Sequence, residues 1–155
     1  MQRISHRTVL EGSIVFGDER QDIMSSSQEK VALAYLDAVA KKDMAKVESL
    51  VATDIQFIGP AATTRGVRDL LAAFRRIGAV HVRSDIRRVF SDGDDVCVIY
   101  DFVTDTAGAL PVVEWLAIEG DKIRTVHIYY DQTPWMKLRE EIGRRLAAQA
   151  HTGTA

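Results

Sequence analysis

Residues 80–131 read VHVRSDIRRVFSDGDDVCVIYDFVTDTAGALPVVEWLAIEGDKIRTVHIYYD, and the architecture follows from where this stretch breaks. Four β-rich runs, Val80 to Phe90, Val96 to Asp105, Leu110 to Glu119 and Ile123 to Asp131, are separated by Asp92-Gly93-Asp94, Ala107-Gly108 and Gly120-Asp121. Gly and Asp supply the backbone conformations that tight hairpins need, so successive runs are predicted to pair antiparallel in a meander.

Upstream the periodicity is helical. Ser26-Ser27-Gln28-Glu29 has capping-box spacing, and Val31, Ala34, Tyr35, Ala38 and Val39 then recur on one helical stripe. Lys41-Lys42 suit the end of that helix, and Asp43 can cap a short second helix that buries Val47, Leu50 and Val51. Asp54 to Pro60 reads as a strand, Ala61 to Gly66 as a turn, and Val67, Leu70, Leu71, Phe74 and Ile77 as a third helical stripe closed by Gly78. Downstream, Thr133 and Pro134 suit the cap and first position of a last helix with Trp135, Leu138, Ile142 and Leu146 on one seam. Helices followed by a long-stranded meander give an α+β fold, with three N-terminal helices on a curved, mostly antiparallel sheet and an extra C-terminal helix. Residues 1–23 are expected to be a peripheral arm, either poorly ordered or added to a sheet edge. Residues 24–149 form a single domain, and residues 150–155 are a fraying tail.

The totals exclude several functions. A chain of 155 residues carries one ordinary core, and a net charge of −2 does not favour a sequence-independent grip on nucleic acid. The pairs Arg75-Arg76, Arg87-Arg88 and Arg144-Arg145 read as solvated faces. No apolar run approaches the roughly 20 residues of a membrane helix, and the first residues lack a signal-peptide core, so the protein is expected to be soluble and cytoplasmic. Cys97 is the one cysteine, and His6 and His81 have no neighbours at metal-ligand spacing. No metal or cofactor is expected, because phosphate-loop and dinucleotide motifs are also missing from the sequence.

The element order resembles the nuclear transport factor 2-like superfamily of α+β cones, and within it the SnoaL-like group, over residues 28 to 135. The carriers of the resemblance are Tyr35-Leu-Asp-Ala-Val-Ala-Lys-Lys-Asp43, Arg65-Gly66 before an apolar helix, Gly120-Asp-Lys-Ile123, and Tyr129-Tyr130-Asp131. It implies a pocket between the sheet and the helices. Ketosteroid isomerases of this superfamily use a first-helix tyrosine, a late-strand acid and a carboxylate base before a proline. Tyr35 matches the first and Glu114 the second, but Gly59 stands before Pro60, so the third is missing. Epoxide hydrolases of the superfamily need a carboxylate where the final strand here offers Val126 or Ile128.

With Glu114 turned inward, alternation adds Val112, Leu116 and Ile118, while the resemblance adds Ile99, Asp101 and Val103, then Val126, Ile128 and Tyr130, with Phe57 and Phe74 walling the base. The resemblance thus implies a small, mostly apolar organic ligand. It also implies cofactor-free proton transfer beside a carbonyl (isomerisation, cyclisation or dehydration), with Glu114 or Asp101 moving the proton and Tyr35 donating a hydrogen bond. The alternative is a non-catalytic ligand-binding or protein-interaction module. His127, alternating with Val126 and Ile128, should face outward. Trp115, Tyr129 and Val113 on that face suit a homodimer through the convex side of the sheet.

Overall fold

A computed structural model describes residues 26–152. Helix α1, Ser27–Ala40, begins where the sequence predicts, because Ser26 Oγ accepts the Glu29 amide at 3.0 Å and takes up a donor the first turn cannot pair. Its inner side buries Ala32, Tyr35, Leu36 and Ala38. Helix α2, Met44–Leu50, is capped by Asp43, whose carboxylate accepts the Lys46 amide at 3.0 Å.

Two boundaries differ from the sequence reading. Val51 opens strand β1, Val51–Ile58, instead of ending α2: an apolar residue satisfies either element, and its β-branch favours the extended one. The expected turn at 61–66 contains strand β2, Thr63–Arg65, which folds back antiparallel on β1 with Phe57 opposite Thr64. Gly66, at φ +83°, then starts helix α3, Val67–Ile77, which buries Leu70, Leu71 and Phe74.

The meander forms as read, with strands β3, His81–Asp92; β4, Asp95–Thr104; β5, Gly108–Glu119; and β6, Lys122–Tyr129. The sheet is open and curved, with six strands in the order β2-β1-β6-β5-β4-β3, and every pairing is antiparallel except β1 with β6. That parallel pairing sets the strand from the helical half against the last strand, so one inner face runs continuously under the helices.

Helix α4, Gln132–Thr152, returns to the core with Leu138 and Ile142 buried. Its cap is Asp131 and not Thr133, since the Asp131 carboxylate accepts the Thr133 amide at 2.9 Å. Arg145 ties the helix down by donating to Ala79 O and Asp105 Oδ2, each at 2.7 Å, and to Glu141 Oε1 at 2.6 Å. The helix continues through Thr152, beyond the expected start of the tail; the arm 1–23 lies outside the described residues.

Register assigns the faces, because residues directly opposite in an antiparallel pair project to the same side. Glu114 stands opposite Val98 and Ile128, Leu116 opposite Val96 and Val126, and Val112 opposite Tyr100. The inner face of β5 and β6 therefore carries Val112, Glu114, Leu116, Val126 and Ile128. On β4 the phase is the reverse of the expectation. Val98, Tyr100 and Phe102 face inward, whereas Ile99, Asp101 and Val103 share the outer face with Val113, Pro111 and Ala109. The run Val-Cys-Val-Ile-Tyr-Asp-Phe-Val is apolar on both sides and gives no alternation from which to read a phase.

Candidate functional site

Glu114 is the one carboxyl that β5 directs into the interior; it is 2% exposed, among Val98, Ile128, Val112 and Leu116. A carboxylate there would lose its hydration, and burial pushes its pKa from an ordinary 4.5 up to about 7. The Tyr100 hydroxyl works against that rise by donating to Glu114 Oε2 at 2.8 Å, and proximity of the Tyr35 phenol opposes it further. Both phenols are buried, and burial followed by the adjacent Glu114 charge holds each well above the usual phenol range. At neutral pH both phenols stay protonated, so each has an O–H to donate and an oxygen that can accept, while the Glu114 carboxyl is near its own midpoint.

Tyr35 reaches the acid from α1. Its ring packs on Phe74 of α3 with centroids 6.0 Å apart, and Phe74 meets Phe57 of β1 edge-on at 5.7 Å. These aromatic contacts fix the phenol from behind. The Tyr35 hydroxyl approaches Glu114 closely enough to act on its titration as a donor does, although the contact falls short of full hydrogen-bond geometry. A buried hydroxyl left short of a full hydrogen bond is destabilising by about 1–3 kcal/mol, and the acceptor nearest to it in the interior is Glu114.

Asp101 does not join them. It lies on the opposite face of the sheet, where Arg87 Nε donates to its Oδ2 at 2.8 Å and Arg87 Nη2 makes a second contact to the same atom. A proton shared between Asp101 and Glu114 would have to cross the sheet, so the expected carboxyl pair is corrected to a single acid. Ile99 and Val103 leave the pocket wall for the same reason. Tyr100, which the sequence reading did not single out, takes the place beside Glu114, its register opposite Val112 putting it on the inner face.

Gly59 has a steric reason for being glycine. A Cβ there would come within 2.8 Å of Ile128 Cγ2, so a carboxylate base before Pro60 would need the Ile128 side chain to shift. Farther along the inner face, Tyr130 and Phe102 flank Trp135 of α4, with ring centroids 4.7 and 5.1 Å from it, and His81 stacks on Phe102 at 4.0 Å. Burial lowers the His81 pKa to about 4, so the ring is neutral and accepts or donates toward Ser84 Oγ at 3.1 Å. On the outer face His127 stacks on Trp115 at 5.1 Å, as its alternation predicted.

The chain matches the model of the SnoaL-like domain over residues 32–126. A solved protein of Kribbella flavida DSM 17836 is 25% identical, with a TM-score of 0.69, covering 77% of this chain and 99% of its own. An NTF2-like protein of unknown function from Cytophaga hutchinsonii ATCC 33406 is 18% identical, with a TM-score of 0.63, covering 72% and 95%. A hypothetical protein of ketosteroid isomerase-like fold from Catenulispora acidiphila DSM 44928, solved with trimethylamine, is 22% identical, with a TM-score of 0.60, covering 68% and 88%. No curated protein matches the sequence.

Proposed function

The chain belongs to the SnoaL-like domain family, and we propose that it binds a small, mostly apolar organic molecule against Glu114 and moves a proton beside that molecule's carbonyl without a cofactor. The observation that carries this reading is the buried Glu114 carboxyl, its pKa raised to about 7, with the Tyr100 hydroxyl donating to it and the Tyr35 hydroxyl close beside it. A general acid–base group works best with a pKa near the operating pH, and a phenol aimed at a carbonyl oxygen stabilises the developing enolate. With one carboxyl available, the same group must remove and return the proton. That fits a 1,3-shift or a dehydration better than a reaction needing two separate acids.

The test uses 2-tetralone, a bicyclic ketone whose α-hydrogens exchange slowly in D2O. NMR should show faster exchange with the protein, following a titration near pH 7, with Glu114→Gln abolishing the acceleration and Tyr35→Phe weakening it. Exchange at the buffer rate with no binding would remove the proposal. Binding without exchange would select the second reading, a ligand-binding module, which the sterically closed Gly59 position favours.

Trp115 is 41% and Tyr129 53% exposed on the outer face, beside Val113. Large aromatics on an outward sheet face favour a cover, and a second copy of the chain meets that need. Sedimentation should give a dimer that Trp115→Lys with Tyr129→Lys converts to a monomer; a wild-type monomer at micromolar concentration would refute it.

A further inference from the structure

The two tryptophans differ in how their N–H groups are satisfied. Trp115 Nε1 donates to Asp95 Oδ1 at 2.8 Å, whereas Trp135 Nε1 is buried and has no acceptor among the described residues. Buried indole N–H groups normally find one. The Trp135 ring is held by Tyr130 and Phe102 from the inner side of the sheet, and Leu138 and Ile142 behind it anchor α4. The orphaned donor is therefore held in place by its neighbours.

Its distance from Glu114 follows from the strands. Tyr130 is two residues beyond Ile128, and Phe102 four beyond Val98, and both Ile128 and Val98 stand opposite Glu114. At about 3.3 Å per strand residue Phe102 lies roughly 13 Å along β4 from the level of Glu114, and Tyr130 lies nearer, just past the end of β6, so Trp135, packed on both, is on the order of 10 Å from the acid. Between the two ends the inner face carries Val112, Ile128 and the aromatic rings.

We infer that Trp135 is a second polar anchor of the ligand site, and that the ligand is an elongated, largely apolar or aromatic molecule with a hydrogen-bond acceptor at each end. One acceptor meets Tyr35 and Glu114, and the other meets Trp135 Nε1. This rests on the ligand reading given above and adds the length and the distal group. Trp135 lies beyond the residues 32–126 that match the family, so the second anchor is a property of the appended helix in this chain. Short ketones engage only the first anchor.

The probes are 2-acetonaphthone, with one acceptor, and 6-methoxy-2-acetonaphthone, with a second at the far end. Wild-type protein should bind the methoxy compound about tenfold more tightly, the worth of one hydrogen bond, and Trp135→Phe should reduce the preference to within about twofold. An independent readout needs no variant at position 135. Two tryptophans give two indole N–H resonances, assigned with Trp115→Phe, and the Trp135 resonance should move downfield with the methoxy compound alone. Equal affinities with an unmoved indole signal would overturn the second anchor while leaving the ligand site standing. An indole N–H that contacts a persistent bound water in the presence of either probe would overturn it too. Failure of both probes to bind wild-type protein would overturn the anchor together with the reading on which it rests.

Discussion

Substituting Glu114 by Gln should uncover a pH dependence of stability that the wild-type protein hides. The folded chain holds the Glu114 proton up to about pH 7, whereas an ordinary glutamate releases it near 4.5. Between those values the folded state binds one more proton than the unfolded state, so this group's stabilisation is complete below 4.5 and is lost as pH rises through 7. The gap corresponds to about 3 kcal/mol. His81 acts with the opposite sign. Its ring stays neutral down to about 4 in the fold against an ordinary 6.5, so its contribution is complete above 6.5 and is lost as pH falls through 4, again by about 3 kcal/mol. From roughly pH 4.5 to 6.5 the two slopes cancel. Urea denaturation in half-unit steps from about pH 4 to 8 should therefore find a shallow wild-type profile in this window. Glu114→Gln should become more stable by about 3 kcal/mol as pH rises, and His81→Gln less stable by a similar amount. A Glu114→Gln curve parallel to wild type within about 1 kcal/mol would mean that Glu114 titrates as a solvated acid. The proton-transfer argument would then lose its base.

Other substitutions separate the parts of the site. Tyr100→Phe removes a donor to the ionised acid, so the Glu114 titration followed by carboxyl 13C NMR should move further above 7, with a stability loss of about 1–3 kcal/mol at pH 8. Asp101→Asn acts on the outer face; it should leave both the Glu114 titration and 2-acetonaphthone affinity unchanged, and because Asp101 is buried against Arg87 it should alter urea stability by about 1–3 kcal/mol. Gly59→Ala drives a methyl toward Ile128 Cγ2 and should cost about 1–3 kcal/mol in thermal or urea unfolding. Leu138→Ala empties a position of 0% exposure on α4 and should cost about 2–5 kcal/mol; a loss below about 1 kcal/mol would mean that α4 does not pack on the core as described.

The legible parts of the sequence are those where polarity alternates or a turn is marked. On β5, Glu114 lies in phase with Val112, Leu116 and Ile118, while exposed Trp115 and Glu119 mark the other side, so its inner face could be assigned from one strand alone. His127 did the same for β6. On β4 the run Val96 to Val103 is apolar on both faces at almost every step, and its one charged residue, Asp101, turns outward to Arg87, a partner 14 positions away in sequence. Its phase comes from the turn: Thr104 stands opposite Gly108 across Asp105-Thr106-Ala107, and that pairing places Val98 opposite Glu114. A turn one residue longer or shorter would have reversed every β4 side chain. The Arg145 contacts to Ala79, Asp105 and Glu141 were invisible for a related reason, since they depend on where α4 lands after the chain leaves β6.

The same register limits the chemistry. Had Asp101 faced inward, two carboxyls on neighbouring strands would have split their pKa values and divided acid from base. With Asp101 outside and Gly59 closed by Ile128, the interior of the sheet offers one ionisable carboxyl whose nearest polar neighbours are phenols that stay protonated at neutral pH. Such a group can take a proton only from a carbon or hydroxyl lying within its reach and can return it only there. A ligand of the proposed site would therefore hold both ends of the proton's path on the same face, close to Glu114, with its remote end held elsewhere. In that proposal rigid positioning would stand in for a second acid, because a bound molecule that cannot turn presents both atoms to one carboxyl in succession. The aromatic support of Tyr35 by Phe74 and the burial of Trp135 against Phe102 and Tyr130 are the features of this chain that would supply that rigidity.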